Sequence, residues 1–336
     1  MPSITGASNV DVMPDPEGHG PLEGDRASTG RLGDRLFGGT ATGAGLLVMA
    51  LVTLIAVFLL SQALPALAKD KVNFLTSTQW NVDGTPLQFG IANLLWVTVL
   101  SSAIALTIAV PVGVAVALFI TEYSPRWLSR PAATLVDLLA AVPSIIYGLW
   151  GLQVFGPHMD AAQSFLTKLF GWFPLFKDDG IGAASTILTV ALVLSVMVLP
   201  IVTALSREVF SQTPVSHTDA ALALGATRWE MIRTAVLPFG KPGVISASML
   251  GLGRALGETI AVTIILSALA GGVPWSWSVF NGGETFASKI ANNAAEFDSP
   301  QKAGAFMAAG LVLFLLTFVV NAIARVAIER RKAFSE

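Results

Sequence analysis

Two charges stand four residues apart in the apolar run GLGRALGETIAV, residues 251–262: Arg254 and Glu258. A guanidinium presents a planar fork of N–H donors that matches carboxylate and tetrahedral oxyanion oxygens. At the bilayer centre such a charge costs about 2.5–3.5 kcal/mol on insertion scales, so it faces a bundle interior or a water-filled path. On a continuous helix, positions i and i+4 share one face, so the spacing predicts an Arg254–Glu258 pair. At about 1.5 Å of rise per residue, Arg254 falls roughly 16 Å beyond Gly243, close to mid-bilayer. Two roles fit. One is a structural ion pair; the other is a gated anion path in which Glu258 neutralises Arg254 until an oxyanion arrives. Gly253 and Gly257 flank the pair at G-x-x-x-G spacing, which admits a second helix at close range.

The elements that must position these charges are membrane spans. Of 336 residues, 53% are hydrophobic and 12% charged, against about 25% charged in soluble domains. Six stretches are long enough to cross a bilayer, near 43–66, 91–120, 132–155, 182–205, 243–270 and 303–327. The expected fold is therefore all-α and polytopic, with six transmembrane helices forming one domain over 41–336. The second span is overlong and holds Pro111, while Pro143 and Pro200 lie inside or at the end of others; neighbouring groups satisfy the carbonyls that prolines free. Residues 1–40 are rich in Gly, Pro, Asp, Ser and Thr and are expected to form a disordered tail. The start MPSITGASNVDVMPDPEG has no basic region followed by an apolar one, so the first apolar stretch is expected to remain as a span.

Positive charges set the orientation. With the tail inside, 13 Lys and Arg fall in inner segments and 6 in outer loops, and Arg254 completes the 20. Both termini are thus expected in the cytoplasm. The outer loops carry Trp80, Trp172, Trp275 and Trp277, suited to interfacial anchoring or to docking a partner. A net charge of −2 gives no nucleic-acid footprint. No cysteine is present, and His19, His158 and His217 have no ligand spacing, so no metal site is expected. Asp137 lies near the inner end of span three, where it can snorkel or cap. Asn93, Thr98, Ser101 and Ser102 in span two either line a polar path or bond across helices.

The loop at 206–242 within SREVFSQTPVSHTDAALALGATRWEMIRTAVLPFGKPG reads as two short helices. Thr213 before Pro214 suits an N-cap, and Asp219 suits a helix start. Gly225 suits the residue past the first helix end, and Thr227 to Glu230 has capping-box spacing before a second helix expected to stop at Pro238. An exposed apolar helix here fits a groove on another protein, or a surface-lying helix.

The same stretch resembles the EAA loop of ABC importer permeases, E-A-A-x3-G-x9-I-x-L-P. Asp219, Ala220, Ala221, Gly225, Ala235, Leu237 and Pro238 hold the matching positions, with Asp in place of Glu and Ala in place of Ile. The resemblance implies a MetI-like type I importer permease whose coupling helix inserts into a separate ATPase. No G-x-x-x-x-G-K-[ST] loop occurs, so this chain has no ATP site of its own. Further, GLGRALGETIAV, VPSIIYGLWGL at 142–152 and ALGATRWEMI at 223–232 resemble the phosphate-specific transport (Pst) permeases, and GETIAV is closer to their C-type subunits. That resemblance covers about residue 40 to the end. It implies an A-type permease partner, two ATPase subunits that bind ATP and Mg, an external phosphate-binding protein, and the inner membrane of a bacterium. It maps the translocation residues onto Arg254 and Glu258. A sulfate or molybdate permease would share the loop without the RALGET context. An ion-coupled transporter needs no docking loop and favours broken repeats. No zinc or nucleophile motif supports an intramembrane enzyme.

Overall fold

The computed structural model describes residues 29–84, 86–266 and 275–332, with side chains from 33 to 326. Residues 1–28 of the expected tail and 267–270 of the expected fifth span lie outside the described residues. Helix α1, Thr29–Leu67, begins earlier than composition suggested, so residues 29–40 are helical rather than part of a tail. The chain divides into two compact units, residues 1–55 and 56–336. In the first, the described residues form the leading part of α1, with Leu47, Leu51 and Leu54 exposed.

In the second unit α1 ends, and a short hairpin follows. Its strands β1, Trp80–Asn81, and β2, Gln88–Phe89, pair antiparallel with Trp80 opposite Phe89. Trp80 packs on Phe89 and Phe306, with ring centroids 5.8 and 5.3 Å away. It is thus a packing residue, whereas Trp172 is 82% exposed as an anchor should be.

Helix α2, Ala92–Leu118, continues through a π turn to Tyr123, despite Pro111. Ser101, Ala105, Ala109, Gly113 and Ala117 recur every fourth residue and are all buried. This stripe of small side chains lets helices approach closely. A Cβ placed on Gly113 would stand 3.0 Å from Val202 and 3.2 Å from the Thr203 hydroxyl, both in the helix that α2 packs against.

The third apolar stretch is not one rod. Helix α3, Arg126–Ala140, and helix α4, Ser144–Trp150, are bent by 90° at the intervening break. Pro143 caps α4 in an extended conformation, and a proline biases the residue before it away from the helical region. The Tyr147 hydroxyl donates to the Leu139 carbonyl at 2.8 Å across the bend, which satisfies a carbonyl near the broken end. A π turn and a 3-10 turn lead into α5, Met159–Phe170.

Helix α6, Ile187–Ser211, lies against α2 and starts at Thr186, whose side chain accepts from the Thr189 N–H. Helices α7, Val215–Ala223, and α8, Arg228–Met231, follow, then α9, Leu237–Gly257, and α10, Ile260–Ile265. The chain closes with α11, Phe286–Asn292, and α12, Pro300–Lys332. Among the described residues five helices are long and apolar enough to cross a membrane, and the bent pair makes up to six. The main core gathers Val97 of α2, Tyr147 of α4, Val193 and Leu194 of α6, and Val262 and Ile265 of α10.

Candidate functional site

Helical hydrogen bonding stops at Gly257, the second glycine of the flanking pair. Glu258 adopts an extended conformation, φ −68° and ψ 122°, and α10 restarts two residues later. Glycine lowers helix stability by about 1 kcal/mol relative to alanine, so Gly257 is a cheap place to stop. Packing fixes the new direction. A Cβ on Gly148 of α4 would stand 3.0 Å from the Ala261 Cα and 3.1 Å from Ile264, so α10 rests directly on α4. The helices that restart after the breaks in the third and fifth stretches therefore pack on each other.

The expectation that Arg254 and Glu258 pair on one helix face is corrected here. Among the described residues the ion pairs join Arg207 to Asp137, Lys289 to Glu284, and Lys302 to both Asp83 and Asp298; Arg254 and Glu258 are not joined. Because the helix ends between them, the i to i+4 geometry lapses. Glu258 is 8% exposed, and its Oε1 accepts from the Ala261 N–H at 3.2 Å. The Arg254 Nε is buried without a hydrogen-bond acceptor among the described residues.

Gly253 and Gly257 are exposed, and a Cβ on either would meet nothing within 4 Å. The glycine face is thus left open by the described residues. Of the hydroxyls considered in α2, Thr98 donates to the Leu94 carbonyl at 2.7 Å and accepts from the Phe286 N–H at 3.1 Å. It bonds across to α11. Ser101 donates within its own helix at 2.7 Å. The Ser102 hydroxyl and Asn93 Oδ1 are buried with no partner, as is the Thr263 hydroxyl on α10.

Three contacts escaped sequence reasoning. Asp137 pairs with Arg207 at 3.4 Å, joining α3 to α6 across 70 residues. Glu284, itself buried, binds the half-buried Lys289 at 2.8 Å and the exposed Asn292 at 3.0 Å. Tyr147 had one signal: it lies four residues after Pro143, where its hydroxyl meets the broken helix end.

The second region of interest is the loop around α7. Pro214 holds the cap position, with no side-chain bond, and the Thr213 hydroxyl is buried without a partner. Asp219 sits mid-helix rather than in the first turn. The far end matches expectation. Gly225 has φ +84°, its N–H donates to the Leu222 carbonyl at 2.9 Å, and the Ala226 N–H donates to the Ala221 carbonyl at 3.2 Å. These are both bonds of a Schellman motif. The Thr227 hydroxyl accepts from the Glu230 N–H, and the Glu230 carboxylate accepts from the Thr227 N–H at 2.8 Å, completing the capping box. Pro238 does not stop the second helix. A π turn, Ile232–Val236, carries it into the first turn of α9, where the wider backbone accommodates a proline. Ala221 and Leu237 pack on Phe210, Met231 and Ile232. Asp219, Ala220, Gly225 and Pro238 are exposed, and Leu224 is 90% exposed. Arg228 ties the loop to the end of the α2 segment by donating to the Glu122 carbonyl at 3.4 Å.

Residues 109–333 match the family described as binding-protein-dependent transport system inner membrane component. The chain is 54% identical over 298 residues to "Phosphate transport system permease protein PstC 2" of Mycobacterium tuberculosis, covering 88% of this chain and 91% of that protein. It is 38% identical over 304 residues to "Phosphate transport system permease protein PstC" of Mesorhizobium japonicum, covering 89% and 91%. In fold it is similar to a chain of a bacterial ABC transporter involved in import of the acidic polysaccharide alginate, with TM-score 0.51, 17% identity and coverage of 88% and 99%.

Proposed function

The chain belongs to the binding-protein-dependent transport inner membrane components, among the PstC phosphate transport permeases, and from that premise we propose that it carries inorganic phosphate through the membrane. It acts as the C-type half of an ATP-driven importer. An A-type permease is its partner, two ATPase subunits bind ATP and Mg, and an external phosphate-binding protein delivers the anion. The termini lie in the cytoplasm, on the side where α7 docks through Asp219, Ala220, Ala221 and Gly225. Leu237 and Pro238 set the entry from that loop into α9. The partner permease packs on the open face at Gly253 and Gly257, where small residues admit a close helix.

One observation carries the substrate assignment. Arg254 lies near the end of an apolar helix, beside a helix break, with its Nε buried and no acceptor among the described residues. A buried arginine donor needs an acceptor, and a phosphate oxygen is a strong one. The path runs past Arg254 and Glu258. Reconstituting the chain with its partners in liposomes tests the assignment by ATP-dependent uptake of labelled phosphate against sulfate. The expected result is phosphate uptake that needs ATP. Uptake independent of ATP, or a preference for sulfate, would reject it.

A further inference from the structure

We infer that Glu258 is a positioning residue, serving as the cap of the restarted helix rather than as the counter-ion of Arg254. The inference rests on Arg254 being the anion contact. The backbone leaves the helix between Gly257 and Ile260, which removes the shared face that pairing would need. The first N–H groups of any helix lack intrahelical acceptors. Glu258 Oε1 supplies one, accepting from the Ala261 N–H at 3.2 Å in a buried setting. The same residue, Ala261, is the one that α4 receives at Gly148. On the α4 side, the bend is held by the Tyr147 hydroxyl on the Leu139 carbonyl.

Each of the two breaks is therefore tied by one side chain to one backbone group, and the tied segments pack on each other. The consequence falls on Arg254. With Glu258 committed to Ala261, the guanidinium has no carboxylate partner among the described residues and is open to an incoming anion. A counter-ion gate would require Glu258 to leave Arg254; the cap requires only that it stay.

The two roles part in the substitution Glu258→Gln. Glutamine keeps a carbonyl oxygen at the Oε1 position and removes the carboxylate charge. In the reconstituted complex, Glu258→Gln is expected to lower ATP-dependent phosphate uptake no more than about threefold, with KM near that of wild type, because the amide oxygen still accepts. Glu258→Ala removes the acceptor and is expected to raise KM and lower uptake by about tenfold or more. Rescue of KM by glutamine but not alanine supports the cap. Loss in Glu258→Gln equal to that in Glu258→Ala, with recovery in the exchange Arg254→Glu with Glu258→Arg, would overturn it. Wild-type uptake in Glu258→Ala would overturn it as well. Should Glu258→Ala fail to assemble on size exclusion, Glu258→Gln alone decides. Loss of phosphate preference in the wild-type complex bears on the transport assignment, whereas the ratio between the two variants bears on the cap.

Discussion

The break at Glu258 and the loop from Gln212 to Thr227 solve one problem in two ways. In both, a helix ends and its backbone groups need partners. The loop meets the need locally: Gly225 closes α7 with both Schellman bonds, and Thr227 with Glu230 opens the next helix. Its apolar side chains, such as Leu224, stay exposed. The break adds tertiary packing to a local bond. One carboxylate oxygen serves Ala261, and Gly148 of a distant helix supplies the room. The lesson is that the exposed ends are finished by local motifs alone, whereas the buried end joins a local cap, Glu258 on Ala261, to a long-range contact at Gly148.

Substitutions that separate the two regions sharpen this contrast. The largest effect is expected at the break. Arg254→Gln should lower ATP-dependent phosphate uptake by about 100-fold, the scale for losing a buried charged contact, with assembly on size exclusion unchanged. Loss of assembly would instead favour a structural role for Arg254. Next comes the loop. Gly225→Val places a β-branched residue at φ +84°, a strain of about 1–2 kcal/mol. Uptake should fall about tenfold while ATP hydrolysis continues; coupled uptake at the wild-type rate would count against docking through α7. Gly151→Val tests the packing beneath the break, since a Cβ there would lie 2.7 Å from Val193 and 2.8 Å from Ile265. Overpacking of this kind costs about 1–3 kcal/mol, visible as a lower unfolding midpoint. The smallest change is expected in Thr227→Ala, which removes one cap bond worth about 1 kcal/mol in the same melting assay.

The two regions also differ in how far the sequence reveals them. Gly225 and the Thr227–Glu230 spacing were legible because the signals lie within a few residues of the groups they satisfy. The small-residue stripe from Ser101 to Ala117 runs at a four-residue period that the sequence carries openly, although only the structure shows which helix it meets. The end of α9 at Gly257 was not legible. Residues 243–270 read as one apolar span, and the reason to break is Gly148, more than a hundred residues away. The bend before Ser144 was half-legible, since Pro143 marks it but Tyr147 holds it. Pro238 misled in the opposite direction, because a π turn absorbs it and the helix continues. Asp137 looked like a lone membrane carboxylate until α6 brought Arg207 beside it.

The central claim is that Arg254 meets phosphate with its donor fork. Arg254→Lys tests it most directly, because lysine keeps the charge and discards the fork. Phosphate dependence of uptake in the reconstituted complex should show a KM raised about tenfold over wild type, with assembly unchanged. Wild-type KM and rate in both Arg254→Lys and Arg254→Gln would contradict the account.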